Sequence, residues 1–199
     1  NRIMVYTASD GKVFEKRGEW KKYEFTLMCT FQKQSGKELT KSPGDLEGSP
    51  FDILDLEDCT VIIPDHTSQM GIENLKNCRV FVGACSESFF LRDCKDCVIY
   101  VCCKQLRTRD CENCTIYLYC KTEPIIEKSS GMKFGCFIGG YPEQEQHFKD
   151  AQLDPSVNKW SQVFDFNDEA KTGENWSILS DADYADPWFP LAPVDPPFI

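Results

Sequence analysis

The sequence has 199 residues, 41% of them hydrophobic, which is enough for one domain with a substantial core. Its formal net charge of −10 is concentrated in residues 143–199, which hold 12 Asp and Glu against 3 Lys, and this argues against a nucleic-acid partner. The longest apolar run covers residues 97–103, far short of the roughly 18 residues that cross a bilayer, so no transmembrane segment is predicted.

Residues 1–50 are interpreted as an N-terminal extension. Within it, Lys21–Thr30 alternates between polar and apolar side chains, which is typical of a strand. The stretch from Ser35 to Pro50 is rich in Gly, Pro, Ser and charge, and it is predicted to be a mobile loop. No function is assigned to this extension.

Residues 51–140 contain a short sequence motif that occurs four times. In each copy a cysteine directly follows an Asp or Asn, and apolar residues then alternate with a period of two. The four cysteines, spaced by 19, 19 and 17 residues, are Cys59, Cys78, Cys97 and Cys114. A period near 20 with one short strand per unit is typical of a solenoid. We therefore predict an all-β fold, a parallel β-helix, with Asp and Asn at its corners.

Some of the 12 cysteines have the spacing of a four-cysteine zinc site. The two pairs concerned are Cys94/Cys97 and Cys111/Cys114. In the first two repeats Leu56 and Leu75 replace the earlier cysteine, which marks that position as apolar core. We therefore favour a stacked ladder of reduced core cysteines and predict no metal site. A zinc site and a redox site are the alternatives.

Aligning the repeats reveals one outward position that the coil does not explain. The inward column consists of Ile72, Leu91 and Thr108. The outward columns on either side of it are Gly71/Phe90/Arg107 and Glu73/Arg92/Arg109. Gly71 and Phe90 occupy the same column in the two preceding coils, so the fold does not require an arginine at position 107. Gln105 is predicted to project from the same face as Arg107. The alternative to a functional role for Arg107 is an ordinary solvated arginine. Arg92 and Arg109 are expected to form an ion-pair ladder with Glu73 or Asp93.

Residues 141–199 form a C-terminal acidic segment with aromatic residues, which we expect to pack on the same domain. Tyr141–Ala151 is predicted to contain a short helix. The proline-rich end, residues 187–197, is expected to lie extended. The acidic residues are interpreted as a solubilising surface, with a docking patch for a basic partner as the alternative.

Enzymatic activity of the chain itself finds little support. Solenoid polysaccharide lyases and hydrolases need clustered carboxylates or calcium, whereas the aspartates here fall at predicted corners. His66 and His147 have no Ser or Cys partner implied by the sequence, so no catalytic dyad is predicted.

Several motifs resemble the tubulin-binding-cofactor-C homology domain (the C-CAP/cofactor C-like domain). They are Gln105–Cys111, Pro124–Glu127, Lys133–Phe137, Phe148–Leu153, Trp160–Ser161, Asp165–Phe166 and Asn175–Ser177. The similarity keeps the same order from about residue 50 to residue 190. It implies a right-handed parallel β-helix and a GTPase-activating protein rather than an enzyme. The subgroup that this chain most resembles acts on Arf-like small GTPases of the Arf-like-3 branch, and tubulin cofactor C acts toward tubulin.

The resemblance also implies roles for individual residues. Arg107 falls on the arginine finger and Gln105 on its neighbouring glutamine. Glu127 falls on the glutamate that is expected to hold Arg107, and an ion pair between the two is expected about one coil apart. Phe166 matches a partner-contact phenylalanine, and Arg109 and Phe90 are expected to contact the partner as well.

Such a domain needs no cofactor of its own, because GTP and Mg²⁺ belong to the partner GTPase. We expect a cytoplasmic monomer near the cilium and basal body that takes part in trafficking of lipidated cargo. The subgroup attaches to membranes through an N-terminal Met-Gly-Cys acylation signal, which does not occur in this sequence. The alternative is a non-catalytic module that binds tubulin or GTP-loaded GTPase.

Overall fold

The computed structural model describes residues 4–184, 188 and 189, most of which belong to one parallel β-solenoid of about six turns. The strands are β1 (Tyr6–Thr7), β2 (Val13–Phe14), β3 (Thr30–Ser35), β4 (Glu38–Thr40), β5 (Phe51–Glu57), β6 (Thr60–Ile63), β7 (Met70–Lys76), β8 (Arg79–Arg92), β9 (Val98–Arg109), β10 (Thr115–Cys120), β11 (Ile125–Glu127), β12 (Met132–Cys136), β13 (Phe164–Asp165) and β14 (Trp176–Ile178). The helices are α1 (Arg17–Met28), α2 (Gln144–Asp150) and a 3-10 turn at Asp181–Asp183. The predicted parallel β-helix is confirmed.

The solenoid presents two sheet faces that matter for function. We call one the arginine face; it consists of β3, β5, β7, the second halves of β8 and β9, β11 and β13. We call the other the aromatic face; it consists of β4, β6, the first halves of β8 and β9, β10, β12 and β14. Strands β8 and β9 run through both faces, so each connects the two faces of its coil.

The corners of the coils are built as the sequence predicted. Asp58, Asn77, Asp96 and Asn113 all adopt positive φ angles between 51° and 54°. Short polar side chains tolerate this left-handed conformation better than other non-glycine residues do. The side chains also form a ladder, since Asn77 Nδ2 donates to Asp58 Oδ1 over 2.6 Å and Asn113 Nδ2 donates to Asp96 Oδ1 over 2.6 Å.

The anchor cysteines form a buried stack, as predicted. All four are at most 2% exposed, and Cys78 Sγ, Cys97 Sγ and Cys114 Sγ each donate to backbone carbonyl oxygens of neighbouring residues. The hydrogen bond to Cys114, together with burial, raises the pKa of Cys97 to about 12. The Cys97 thiol is therefore a protonated core group at neutral pH.

The first coil begins at Thr30, well before the expected boundary at residue 51. Strands β3 and β4 pair in parallel with β5 and β6, so the stretch interpreted as a mobile loop contains part of a coil. The strand predicted over Lys21–Thr30 is wrong, because residues up to Met28 belong to α1. Its half-buried side chains are Trp20, Tyr23, Glu24 and Leu27, and their spacing is helical.

The C-terminal segment covers the aromatic face. Phe81, Tyr100 and Tyr117 stand in one outward column there, and all are at most 2% exposed. Helix α2, which lies within the predicted span Tyr141–Ala151, packs against this face together with Phe189. Residues 160–178 then return to the solenoid and add β13 and β14 as a last coil, beyond the expected end at residue 140. Most of the proline-rich end lies outside the described residues.

Candidate functional site

Arg107 projects from the arginine face, which the described part of the C-terminal segment leaves uncovered. Its neighbour Thr108 is buried, where it shares a hydrogen bond of 3.1 Å with Ser129 Oγ. Since side chains alternate along a strand, an inward Thr108 requires an outward Arg107. The predicted inward column is confirmed, as Ile72, Leu91 and Thr108 are all at most 1% exposed.

The register places Arg107 between two apolar residues. Phe90 on β8 pairs with Arg107 on one side, and Ile125 on β11 pairs with it on the other. Neighbouring strands lie about 4.8 Å apart, so the aliphatic stem of Arg107 runs beside both side chains. Phe90 and Ile125 are half-buried, whereas Arg107 is exposed. The apolar neighbours thus support the stem and leave the guanidinium at the surface.

Five of the six predicted site residues line one groove of about 490 Å³. Its lining consists of Ser88, Phe90, Gln105, Arg107, Thr108, Arg109, Ile125 and Glu127. Phe166 is the predicted site residue that does not line it. A single concave surface therefore brings together an arginine, an amide and a carboxylate.

The expected ion pair between Arg107 and Glu127 is not present among the described residues, and the register shows why. Ile125 lies beside Arg107, 18 residues further on, so Glu127 lies beside Arg109. The coil is shorter than the 20 residues assumed from the sequence. Glu127 still lines the same groove, and its role toward Arg107 stays a prediction.

The other two arginines of this face have local partners. Arg92 Cζ lies 4.9 Å from the ring centroid of Phe90, and Arg109 Nε lies 3.5 Å from Asp110 Oδ2. The expected ion-pair ladder with Glu73 or Asp93 is wrong in its partners, although Glu73 does stand in register with Arg92. Within the described part of the chain, the Arg107 guanidinium makes no hydrogen bond, ion pair or ring contact.

Phe166 lies on the same face, next to an aromatic residue that sequence reasoning missed. Phe164 pairs with Ile125 and so extends the column of Arg107. The rings of Phe164 and Phe166 meet edge to face with centroids 5.2 Å apart, and they are 49% and 54% exposed. Phe164 and Phe166 stand on either side of Asp165 in the sequence, and this alternation could have predicted that both rings lie on one face. Exposed aromatic pairs of this kind are typical of protein-binding surfaces.

Sequence reasoning also missed a cluster of lysines. A second groove, of about 540 Å³, adjoins the first and shares Gln105 and Ile125 with it. Its basic residues are Lys104, Lys121 and Lys159, and Phe164 and Phe166 form its apolar wall. The three lysines come from three separate segments, so no local pattern in the sequence pointed to them.

One histidine does have a serine partner, contrary to expectation. His66 Nε2 and Ser86 Oγ share a hydrogen bond of 2.6 Å. Buried Asp65 accepts hydrogen bonds from the backbone N–H groups of Leu46 and His66, and His147 Nε2 lies 3.7 Å from Asp65 Oδ1. Because Asp65 bonds the backbone rather than the ring of His66, the cluster is not a catalytic triad. It ties successive coils and α2 together.

The described residues contain neither a membrane-spanning helix nor a metal-binding cluster. No helix in that part of the chain is long and apolar enough to cross a membrane. No group of three or more His, Cys, Asp and Glu side chains is arranged to hold a metal ion there.

Comparison with known proteins decides the family. Residues 48–166 match the family model described as tubulin binding cofactor C. The chain belongs to the tubulin binding cofactor C family. Both grooves lie largely within the part that matches this family.

Two relatives from the tubulin binding cofactor C family illustrate the range of similarity. Protein XRP2 from Danio rerio is 43% identical over 167 residues, which cover 82% of this chain and 44% of that protein. Tubulin-specific chaperone C from Mus musculus is 33% identical over 162 residues, which cover 80% of this chain and 48% of that protein. The chain thus spans less than half the length of either relative.

A solved structure agrees with the fold. Tubulin binding cofactor C from Leishmania major superimposes with a TM-score of 0.57, covering 77% of this chain and 89% of that one. Its sequence identity of 20% means that this likeness supports the tubulin binding cofactor C fold alone.

Proposed function

We propose that this chain is a GTPase-activating protein for an Arf-like small GTPase of the Arf-like-3 type, to which it supplies Arg107 in trans. The proposal is supported by membership of the cofactor C family and by the similarity to protein XRP2. The observation that carries it is the Arg107 guanidinium, which is exposed and has no polar partner among the described residues.

The chemistry of GTP hydrolysis explains the need for such an arginine. Negative charge in the transition state is spread over the γ-phosphate oxygens and the bridging oxygen. A guanidinium delivered by a second protein stabilises that charge and raises the rate by a factor on the order of 10³–10⁵. Arginine is planar and always charged, and it can bond two oxygens at once, whereas lysine acts as a point charge.

The solenoid suits this task because it presents the arginine rigidly. The backbone of Arg107 is fixed in β9 between two hydrogen-bonded strands, and its stem has an apolar neighbour on each side. Pre-orientation of this kind reduces the entropy lost when the transition state forms. Gln105 offers an amide that donates and accepts beside it, and Glu127 supplies a carboxylate in the same groove.

In this proposal the chain has no complete active site, because GTP and Mg²⁺ arrive with the partner. The cellular setting that we propose is trafficking of lipidated cargo at the cilium, and it rests on the resemblance to the Arf-like subgroup. The competing function is a module that binds tubulin or GTP-loaded GTPase without accelerating hydrolysis.

Single-turnover GTP hydrolysis by a purified Arf-like GTPase tests the proposal. The native chain should accelerate hydrolysis, and Arg107→Ala and Arg107→Lys should abolish most of that acceleration while binding persists. Arg17→Ala, which removes an exposed arginine from α1, is the matched control and should behave like the native chain. Binding without acceleration by the native chain, or full activity of Arg107→Ala, would contradict the proposal.

A further inference from the structure

The second groove has the character of a binding site rather than of ordinary surface. It combines two exposed phenylalanines with three lysines, and it is continuous with the groove of Arg107 through Gln105 and Ile125. Backbone hydrogen bonds fix the segments that carry the groove residues. For example, Lys159 N–H donates to Cys120 O over 2.8 Å, which fixes the backbone beneath that side chain.

The lysine charges are only partly neutralised by the chain itself. Lys104 Nζ lies 2.8 Å from Glu87 Oε2, which compensates one charge. Lys121 Nζ donates to the neutral carbonyl oxygen of Gln152 over 3.1 Å, which orients the ammonium and leaves its charge in place. Lys159 has no ion pair among the described residues. Among the described residues, Glu123 is the one carboxylate that lines this groove.

Such a positive patch is unexpected in a chain whose net charge is −10. The overall field of the chain repels an acidic protein, so an acidic partner needs local cations at the point of contact. An apolar centre with charged residues around it is also the usual composition of a protein interface. Charge and shape together therefore favour a carboxylate-bearing segment of a protein as the occupant.

We propose that this groove docks an acidic surface segment of the partner GTPase. A carboxylate of that segment lies against Lys121 and Lys159, and an adjacent apolar side chain lies on Phe164 and Phe166. This inference rests on the proposed function, because it assigns the groove to the same GTPase that receives Arg107. The lysines guide association and set partner choice, whereas Arg107 acts on hydrolysis.

The test separates association from hydrolysis. Association with an Arf-like GTPase loaded with a slowly hydrolysed GTP analogue is followed by stopped flow at low and at physiological salt. We expect Lys121→Glu and Lys159→Glu each to slow association roughly threefold to tenfold and to weaken its salt dependence. Hydrolysis in the saturated complex should keep its native rate. Lys22→Glu, the same charge change on the exposed side of α1, is the control.

A further variant and two outcomes make the test decisive. Lys159→Gln removes the charge while keeping much of the stem, so it should slow association less than Lys159→Glu does. This neutral variant keeps the test valid if a carboxylate at position 159 disturbs folding. Association rates equal to that of Lys22→Glu would overturn the inference, as would lysine-dependent binding of tubulin but not of the GTPase. Lysine-dependent association without accelerated hydrolysis would instead leave the inference standing and contradict the proposed function.

Discussion

Ile125, and not Glu127, is the residue of the next coil that lies beside Arg107. An apolar neighbour cannot bond the guanidinium, but it restricts the directions open to the stem that carries it. Phe90 does the same from the preceding coil. The arginine is therefore oriented mainly by packing along its stem, and its charged end stays available to a partner.

The first prediction concerns Ile125 as a positioning residue. Ile125→Ala removes one wall beside the Arg107 stem, and we expect the rate of stimulated GTP hydrolysis to fall roughly tenfold while the affinity for the GTPase changes little, because small displacements of a catalytic group are costly. Separate measurement of kcat and KM for the stimulated reaction checks this. Ile125→Val should restore most of the rate. Leu39→Ala, a half-buried aliphatic residue of the first coil, should leave the rate unchanged.

The second prediction concerns whether Glu127 acts through Arg107 or through Arg109. Register places Glu127 beside Arg109, while the resemblance assigns it to Arg107. If the predicted role toward Arg107 holds, Glu127→Gln should reduce hydrolysis by a similar factor in the native chain and in Arg109→Ala. If Glu127 acts through Arg109, its effect should shrink in Arg109→Ala. A double-mutant cycle measures this coupling directly, and we expect the first pattern, since Glu127 lines the groove of Arg107 while Arg109 has Asp110 as its ionic partner.

The limits of sequence reasoning follow from how the coils are built. The middle coils were recognisable because each has Asp or Asn at its left-handed corners, followed by a buried cysteine. In the first coil the same corner positions are Lys33 and Gly36, which also have positive φ but carry no such signal. The coil was therefore missed, although its geometry is the same.

The site was predictable only where it follows a single strand. Alternation along β9 was enough to place Gln105, Arg107 and Arg109 outward and Thr108 inward. Contacts between coils depend on the length of each coil, which varies, so the neighbour of Arg107 could not be read from spacing. The lysine groove was out of reach for a related reason, because its residues converge only when three coils and the returning C-terminal segment are stacked.

The third prediction concerns the pH dependence of the free energy of unfolding, to which His66 contributes. Burial, with a smaller effect of nearby His147, lowers the pKa of His66 below its usual value of 6.5, although Asp65 and Asp150 oppose this. The unfolded chain therefore binds a proton at a higher pH than the folded chain does. Stability is fully present above pH 6.5 and is lost as the pH falls through the lower folded pKa.

Urea unfolding from neutral to mildly acidic pH measures that loss. His66→Gln, which cannot be protonated in this range, should show a flatter dependence of the unfolding free energy on pH. Ser86→Ala serves as a second variant, since it removes the hydroxyl partner of His66 and keeps the titrating ring. An identical slope for His66→Gln and the native chain would show that other groups cause the dependence.

The last prediction separates core cysteines from ligands. Cys94 is 1% exposed, and its thiol donates to Arg92 O over 3.2 Å. Leu75 occupies the equivalent position one coil earlier and is equally buried. Cys94→Leu should therefore destabilise the fold by only about 1–3 kcal/mol, because leucine is larger than cysteine and overpacks the site, but it stays apolar as Leu75 does at the equivalent position. Cys94→Ala should cost about as much, since the cavity left by the sulfur atom is small. Were Cys94 instead one of four zinc ligands, the native protein would contain close to one zinc per chain and Cys94→Leu would lose it together with several kcal/mol of stability. Chemical denaturation combined with metal analysis of the purified protein distinguishes these outcomes.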